Sequence, residues 1–394
     1  MNTETLSNRS GIAARLNAVV DAAVNEGRVV GAVVLAALDG EIIYEQTAGW
    51  ANREAHQPMQ ADTIFRLASM TKPIVSAAAL VLYEQGKIRF NDPVTKYLPE
   101  FRPKMADGHK PEIRLWHLLT HTSGLGYGFD IPEGNEPYAS AGISDGIDNP
   151  GITLRENLRR LASVPLFHAP GSAWRYSLAT DVLGAVLEQA TGLPLPEIVR
   201  MLVTIPLGME DTDFSVSDSS RLSVAYADAS VHNEAVRLMS DPDVLRKEQG
   251  GIVHFSPGRI FDTTAYLSAG SGMVGTANDY LLFLEVLRQG GAPILQTETV
   301  RSMVEDQIPS LTAGDPGNGF GLGLGIVRDP VAAKTPKSTG SWGWGGIYGT
   351  TFWVDPVARL SVVALTNTAL EGIDGSFPAD IVGAIYNEEA VSTA

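Results

Sequence analysis

The sequence predicts an α/β (α+β) protein in which one antiparallel sheet, flanked by helices, is built from both ends of the chain. Each end carries two apolar segments separated by a turn signal and one helical pattern. The middle is rich in helical patterns that proline and glycine interrupt. We therefore expect a discontinuous α/β domain at 1–88 and 266–394 and a mainly helical inserted domain at 89–265.

The N-terminal end predicts a helix followed by a β-hairpin. Residues 11–26 have the periodicity of an amphipathic helix, and residues 29–38 and 41–47 are rich in Val, Ile, Ala and Tyr. Asp39-Gly40 between these two segments is a strong signal for a two-residue hairpin turn. Two antiparallel strands should therefore follow the first helix.

The C-terminal end has the same ingredients in reverse order. Residues 350–354 and 360–366 form a second apolar pair around Asp355-Pro356, and residues 377–388 have the pattern of a closing helix. Because both ends supply antiparallel strands and a helix, they can complete one sheet together.

The middle of the chain predicts helices at 153–163, 178–192 and 194–203. Residues 122–152 are long and polar for a connection between helices, and they contain several proline and glycine residues. We expect this segment to form a lid or a rim rather than part of the core.

Composition excludes several classes of protein. The 394 residues are 44% hydrophobic, and the net charge of −16 disfavours nucleic acid and anionic membranes as partners. There is no cysteine, and the seven histidines lack metal-ligand spacing, so we expect neither a metal nor another cofactor. The polar N-terminus lacks a signal-peptide pattern and no segment could span a bilayer, which predicts a cytoplasmic protein without a membrane partner.

Ser-Met-Thr-Lys at 69–72 is the strongest chemical signal. A hydroxyl and an amine three residues apart on a helix share one face and can exchange a proton. Residues 74–83 are strong helix formers, Gly86 supplies a stop, and Pro73 is tolerated in a first helical turn. We expect Ser69 to be an activated nucleophile at or beside the helix N-terminus. An N-capping serine with a solvated lysine is the alternative.

Tyr176 is the candidate partner in proton transfer. It lies between Pro170-Gly171 and a helical pattern, and a loop-to-helix corner can project a phenol into a cleft. A cationic Lys72 nearby would lower the pKa of Tyr176 toward a phenolate able to take the proton of Ser69. The same tyrosine could later protonate the leaving group. A half-buried tyrosine with a satisfied hydroxyl is the alternative.

Residues 341–350, Ser-Trp-Gly-Trp-Gly-Gly-Ile-Tyr-Gly-Thr, lead into a predicted strand. Glycine weakens a strand, so the high glycine content of this segment indicates close approach by a ligand or by another backbone. The N–H groups of Ile347 and Ser69 would form an oxyanion hole, and Trp344 would supply an apolar wall for the acyl or alcohol group. A glycine-rich turn with aromatic side chains over the core is the alternative.

Three other segments imitate catalytic motifs. Lys337 and the hydroxyls after it lie several residues too early for the predicted strand. His121 precedes Thr-Ser-Gly, which is typical of a helix cap and turn rather than of a general base. The letters Gly-x-Ser-x-Gly occur around Ser144, inside the polar segment and without a preceding strand. We assign none of these three residues to catalysis.

The motifs together resemble the serine beta-lactamase and penicillin-binding-protein superfamily, and within it the family VIII carboxylesterases most closely. The resemblance rests on Ser69-x-x-Lys72, on Tyr176 and on the segments at 118–125 and 344–346, and it extends from the first hairpin to the last helix. It implies a beta-lactamase/transpeptidase-like fold with a cleft between two domains. It also implies Ser69 as the nucleophile and Lys72 with Tyr176 as the proton-transfer pair.

Departures from the superfamily pattern point to the substrate. Class C beta-lactamases and D,D-peptidases carry Tyr-x-Asn where this chain has Leu178, and Lys-Thr-Gly where it has Trp344-Gly345-Gly346. The resemblance therefore implies that the partner of a substrate amide and the anchor of a substrate carboxylate are both missing. Apolar groups in their place favour neutral esters, because they leave a buried carboxylate unpaired. The same likeness gives Asp181 an orienting role.

We expect a serine carboxylesterase that hydrolyses short-to-medium-chain, small-molecule carboxylic esters through an acyl-Ser69 intermediate. A beta-lactamase, D-amino-acid peptidase, amide hydrolase or acyltransferase of the same fold is the alternative. A noncatalytic penicillin-binding-like protein is the alternative of another class. Intact Ser69, Lys72 and Tyr176 argue against such a binding protein.

Overall fold

A computed structural model describes residues 9–131, 137–229, 235–247 and 251–387. Residue 388, the last of the predicted closing helix, lies outside these ranges. The described helices are α1 (Arg9–Asn25), α2 (Thr71–Glu84), α3 (Leu115–Leu119), α4 (Pro137–Ser140), α5 (Leu154–Leu161), α6 (Ala179–Thr191), α7 (Leu195–Val199), α8 (Ile205–Leu207), α9 (Ala277–Arg288), α10 (Thr297–Val304) and α11 (Ser376–Tyr386). The described strands are β1 (Gly31–Leu38), β2 (Glu41–Asn52), β3 (Gln57–Pro58), β4 (Phe65–Arg66), β5 (Tyr226–Ala227), β6 (Arg237–Leu238), β7 (Asp243–Arg246), β8 (Ile252–Phe255), β9 (Val274–Gly275), β10 (Asn318–Phe320), β11 (Gly325–Val327), β12 (Trp342–Gly346), β13 (Thr350–Asp355) and β14 (Leu360–Thr366).

Strands from both ends of the chain form one eight-stranded antiparallel sheet. Its order is β10-β11-β12-β13-β14-β1-β2-β3, so the first hairpin joins the last one through the β1–β14 pair. In this pair Val34 lies opposite Ala364. The predicted fold class, an antiparallel sheet built from both termini and flanked by helices, is confirmed.

Helices cover both faces of this sheet. Val34 and Ala364 face α1 and α11, whereas Val33 and Val363 face the larger core that contains α2 and α9. Alternate residues of one strand point to opposite faces, so a strand covered on both sides is apolar throughout. This explains why β1 and β14 show no polar alternation in the sequence.

The first hairpin forms as predicted but is longer. Asp39 and Gly40 adopt positive φ angles of 57° and 87°, as a two-residue hairpin turn requires. Strand β2 continues to Asn52, past the predicted end at residue 47. Gly49 lies within this extension, and a Cβ there would meet Val30 O at 2.2 Å. Gly49 is therefore a point of close backbone contact inside the strand.

The helices predicted in the middle of the chain are present as α5, α6 and α7, and α7 continues into a π-helical segment, Arg200–Thr204. The expectation of a lid or rim at 122–152 is wrong for much of that segment. Leu125, Tyr127 and Tyr138 are buried in the main core. Leu125 and Tyr127 alternate with glycine, and the proline and glycine content of the segment indicated a loop in spite of this alternation.

The predicted domain boundaries, between 88 and 89 and between 265 and 266, stay a prediction. Helix α2 of the first predicted domain packs directly on α6 and α7 of the second. Within the described ranges no single helix is long and apolar enough to cross a membrane. Residues 179–191 and 195–207 reach that length and hydropathy only as a pair bent by 82°.

Candidate active site

Ser69 lies in a 3-10 turn, Ala68–Met70, directly before α2. Ala68 has a φ of 45°, a conformation that residues other than glycine rarely adopt. Such backbone strain persists only where the surroundings hold it, and it concentrates at functional sites. Here the Leu67 N–H donates to Met273 O at 3.0 Å on the adjacent segment. The prediction that Ser69 stands beside the helix N-terminus is confirmed.

The structure brings the predicted catalytic side chains together. Lys72 Nζ donates to Ser69 Oγ at 3.1 Å and to Gly270 O at 2.9 Å. The Tyr176 hydroxyl donates to the same Ser69 Oγ at 2.6 Å, and Trp344 Nε1 lies 3.4 Å from the Tyr176 hydroxyl oxygen. Ser69 Oγ therefore has an amine on one side and a phenol on the other.

Burial sets the protonation of this group. It lowers the pKa of Lys72 to about 7, against the opposite effects of Asp181 and Asp130. Burial also raises the pKa of Tyr176, although its hydrogen bond with Ser69 acts the other way. Near neutral pH Lys72 can thus be an amine while Tyr176 keeps its proton. The directions of the two pKa shifts favour Lys72 over Tyr176 as the proton acceptor, and they arise from desolvation, which the sequence does not report.

Ser69 opens into a cleft of about 490 Å³. Trp344, Gly345 and Ile347 line this cleft, as predicted. The N–H groups of Ser69 and Ile347 donate no hydrogen bond to any residue that the structure describes. The other lining residues are Phe129, Asp130, Trp174, Tyr176, Lys247, Gly251, Gly314, Ile373 and Asp374.

The glycines of β12 allow it to approach the turn that carries Ser69. A Cβ on Gly346 would meet Leu67 O at 2.2 Å, and one on Gly343 would meet Phe352 O at 2.5 Å. The predicted close approach is therefore by neighbouring backbone. Gly346 does not line the cleft, and its part is to let β12 lie against the nucleophile turn.

Asp181 and Leu178 are both fully buried, and neither lines the cleft. Leu178 is the N-cap residue of α6, its N–H donates to Gly126 O at 3.2 Å, and its side chain packs in the main core. The expected contact between Leu178 and substrate is therefore corrected. Asp181 lies behind Lys72. A Cβ on Gly270 would be 2.9 Å from Asp181 Oδ2 and 3.4 Å from Lys72 Nζ.

The three rejected motifs have structural roles. His121 is buried with a φ of 53°, and its Nδ1 lies 3.0 Å from Ser177 Oγ. The Ser144 hydroxyl is buried and donates to Asp148. Lys337 Nζ lies 4.6 Å from the centroid of the Trp353 ring. None of the three lines the cleft.

Several site residues were missed in the sequence. Tyr127 packs under Lys72, with Nζ 5.1 Å from its ring centroid, and Gly270 O accepts from the same amine. Asp130 and Lys247 form a 3.0 Å ion pair in the cleft wall. The small residues at 268–272 could have indicated Gly270. No pattern connects Asp130 with Lys247, because the two are 117 positions apart.

The described residues contain no group of three or more His, Asp or Glu side chains placed to hold a metal ion. The chemistry available at Ser69 is thus that of the hydroxyl, the amine, the phenol and the backbone N–H groups around it. Such a set can carry out acyl transfer by covalent catalysis.

A sheet built from both termini, with a serine and a lysine at the start of a buried helix, defines a class of protein. The chain matches the family described as Beta-lactamase over residues 16–377. It belongs to the beta-lactamase family.

Particular relatives narrow the comparison. The chain is 47% identical to Esterase EstB of Burkholderia gladioli over 378 residues, which cover 96% of each protein. Its fold is similar to that of EstCE1, described as a hydrolase with promiscuous acyltransferase activity, with a TM-score of 0.89 and 42% identity over 96% of this chain and 99% of that one. It is also 27% identical to the ML-236A carboxylate methylbutanoyltransferase of Penicillium citrinum, over 91% of this chain and 90% of that protein.

Proposed function

We propose that this protein is a serine carboxylesterase that hydrolyses short-to-medium-chain esters through an acyl-Ser69 intermediate. One observation carries the proposal: Ser69 Oγ, at the cleft, is within hydrogen-bonding distance of both Lys72 Nζ and the Tyr176 hydroxyl. The 47% identity to a protein named as an esterase supports it. Both the fold and this relative indicate a serine hydrolase.

Acylation begins when Ser69 Oγ attacks the ester carbon and the neutral amine of Lys72 takes the hydroxyl proton. The carbonyl oxygen becomes an oxyanion, which the N–H groups of Ser69 and Ile347 stabilise. The bond from carbon to the alcohol oxygen then breaks. The leaving alkoxide takes a proton from the Tyr176 hydroxyl, and Tyr176 is reprotonated from Lys72.

Deacylation repeats these steps with water as the nucleophile. Water attacks the acyl carbon and gives a proton to Lys72, and the same N–H groups hold the second oxyanion. The bond between the acyl carbon and Ser69 Oγ breaks, and the proton returns to Ser69. The products are a carboxylic acid and the free enzyme.

The lowered pKa of Lys72 predicts the pH dependence. We expect kcat/KM for a neutral ester to rise with pH and level off above an apparent pKa of about 7. Below that pKa Lys72 holds its proton and cannot accept another, so the rate should fall about tenfold per pH unit. Initial rates measured at pH values below and above this pKa would define the rising part of the pH profile.

Asp181→Asn refines this test. Asp181 raises the pKa of Lys72, so its neutralisation should move the rising limb to lower pH. A rate that stays constant through pH 7 in the unmodified protein would exclude Lys72 as the proton acceptor.

The cleft favours neutral substrates. Its walls include the rings of Phe129, Trp174 and Trp344, and the cation among its described lining residues, Lys247, is paired with Asp130. A substrate carboxylate would have to displace Asp130 from Lys247 or remain unpaired against aromatic surface, and both are unfavourable. We propose that this ion pair selects against anionic esters.

Asp130→Asn should relax this selection. We expect kcat/KM for mono-nitrophenyl succinate, relative to that for nitrophenyl butyrate, to rise about tenfold, because Lys247 is freed to attract the carboxylate. The ratio cancels any effect of Asp130 on Lys72. Lys247→Met is the matched control, and a similar rise there would contradict the charge argument.

Acyl transfer to an alcohol is a second candidate activity. The aromatic walls of the cleft favour an organic alcohol over water as the acceptor of the acyl group, and EstCE1 is described as having promiscuous acyltransferase activity.

The main proposal, ester hydrolysis, is tested by comparing the rate of nitrophenyl butyrate hydrolysis with the rate at which a chromogenic cephalosporin is opened. Faster opening of the cephalosporin ring would replace the esterase with a beta-lactamase.

We also propose that the protein acts in the cytoplasm on small molecules, without a nucleic-acid or membrane partner. The net charge of −16, which repels nucleic acid and anionic lipid, supports the part of this proposal that concerns partners.

A further inference from the structure

His121 is a buried histidine beside Tyr176 that exchanges no proton in the proposed acyl transfer. The centroid of its ring is 5.0 Å from that of Tyr176, and the two planes meet at 62°. Burial, and after it the charge of Lys72, lowers the pKa of His121 well below its usual range, so its imidazole is neutral near neutral pH. His121 can therefore pack against Tyr176 without adding a second positive charge beside Lys72.

His121 also binds the residues on both sides of Tyr176 in the sequence. The Arg175 N–H donates to His121 O at 2.9 Å, and His121 Nδ1 shares a 3.0 Å hydrogen bond with the buried hydroxyl of Ser177. His121 adopts a φ of 53°, which is uncommon for residues other than glycine and persists only where the surroundings hold it. The backbone that carries Tyr176 is thus fastened to His121 before and after the tyrosine.

Four rings form a closed cycle that includes Tyr176. The centroid of His121 is 5.0 Å from that of Tyr176 and 5.2 Å from that of Phe320. Trp344 closes the cycle, at 5.3 Å from Phe320 and 5.2 Å from Tyr176. The interplanar angles lie between 54° and 90°, and edge-to-face packing of this kind is favourable for aromatic pairs. Phe320 belongs to β10 and Trp344 to β12, so the cycle ties Tyr176 to the large sheet.

Proton transfer by Tyr176 tolerates little displacement of its hydroxyl. That hydroxyl donates to Ser69 Oγ at 2.6 Å, and a shift of about 1 Å at a reacting group can cost about 10²-fold in rate. We propose that His121 is a positioning residue, which holds the Tyr176 hydroxyl at Ser69 through its ring and through Ser177. This inference rests on the proposed function, in which Tyr176 gives its proton to the leaving alkoxide.

The leaving group of the substrate separates a positioning role from a merely structural one. Nitrophenolate is a stable anion that departs without a proton, whereas the ethoxide of an alkyl ester needs one from Tyr176. Ethyl butyrate and nitrophenyl butyrate give the same butyryl-Ser69, so the ratio of their kcat/KM values reports the departure of the leaving group. A variant that only destabilised the fold would lower both values and leave their ratio unchanged.

Two variants break the contacts of His121 in different ways. We expect His121→Asn to lower kcat/KM for ethyl butyrate, relative to that for nitrophenyl butyrate, about tenfold, because asparagine tolerates the positive φ but lacks the ring. Ser177→Ala leaves the rings in place and removes the hydrogen bond, and it should lower the same ratio about threefold. Acid release followed by pH-stat titration measures both esters.

Thr122→Val is the matched control. Thr122 is buried in the same segment as His121, and its hydroxyl pairs with that of Thr120 at 2.9 Å. The variant should leave the ratio of the two kcat/KM values unchanged, even if its thermal unfolding temperature falls. A decrease in this ratio equal to that in His121→Asn would show that any disturbance of the segment has the same effect, and it would overturn the positioning role.

Tyr176→Phe separates this inference from the proposed function. It should lower the ratio about 10²-fold, because the acid itself is removed. An unchanged ratio in Tyr176→Phe would refute the acid role of Tyr176, and the positioning role with it. A decrease in Tyr176→Phe without one in His121→Asn and Ser177→Ala would overturn the role of His121 alone. If His121→Asn does not fold, the ratio in Ser177→Ala decides between these outcomes.

Discussion

Replacing Ser69 with alanine is expected to lower kcat/KM for nitrophenyl butyrate by about 10⁴-fold or more, because no other nucleophile can form the acyl-enzyme. The methyl group removes Oγ, to which both Lys72 and Tyr176 donate. Ser69 is about 8% exposed and lies in a turn held by backbone bonds, so the fold should survive. The effect is measured as steady-state hydrolysis by the purified variant. The thermal unfolding profile of the variant should match that of the unmodified protein.

Ser144→Ala is the matched control for that variant. Ser144 has the letters of a nucleophile motif, but its hydroxyl is buried and donates to Asp148 away from the cleft. Its replacement should leave the activity of the folded protein within about threefold of the unmodified value, since it touches no reacting atom. Activity that survives in Ser69→Ala and disappears in Ser144→Ala would exchange the roles of the two serines.

Replacing Lys72 with methionine should cost about 10³-fold or more in kcat/KM, because the reaction loses its proton acceptor. Tyr176 cannot substitute, since burial raises its pKa and keeps the phenol protonated. Methionine keeps most of the unbranched side chain and removes a buried amine, so loss of folding is not expected. Single-turnover rates at constant pH would show the loss in the acylation step.

Lys337→Met is the control for a partly buried lysine at another site. Burial lowers the pKa of Lys337 to about 8, yet its amine lies over Trp353 and outside the cleft. Its replacement should not change the rate measurably. If both lysine variants lost the same activity, the loss in Lys72→Met would come from removing an amine from the protein interior. The position of that amine beside Ser69 would then not be the cause.

The sheet was predictable because its signals are local. Asp39-Gly40 specifies a tight turn, and the apolar runs on either side have strand composition, so the hairpin follows from adjacent residues. The helix after Ser69 is equally local. The prediction for 122–152 failed because burial there depends on distant residues. Leu125 and Tyr127 lie among glycines that indicated an exposed loop, and they are nevertheless in the core.

The site was predictable as a set of residue types, less so as an electrostatic system. Ser69, Lys72 and Tyr176 carry recognisable chemistry in the sequence, and the structure brings them together. The direction of the Tyr176 pKa shift depends on desolvation by the surrounding fold, which sequence spacing does not report. The ion pair between Asp130 and Lys247 likewise exists only after folding.

The most direct test of covalent catalysis by Ser69 is to trap the intermediate. The protein would be treated with a nitrophenyl alkylphosphonate, which stops at the covalent stage, and the labelled peptide would be identified by mass spectrometry. Our account predicts one phosphonyl group per chain, attached to Ser69, with loss of activity in proportion to labelling. Labelling of another residue, or full activity in a chain labelled at Ser69, would contradict it.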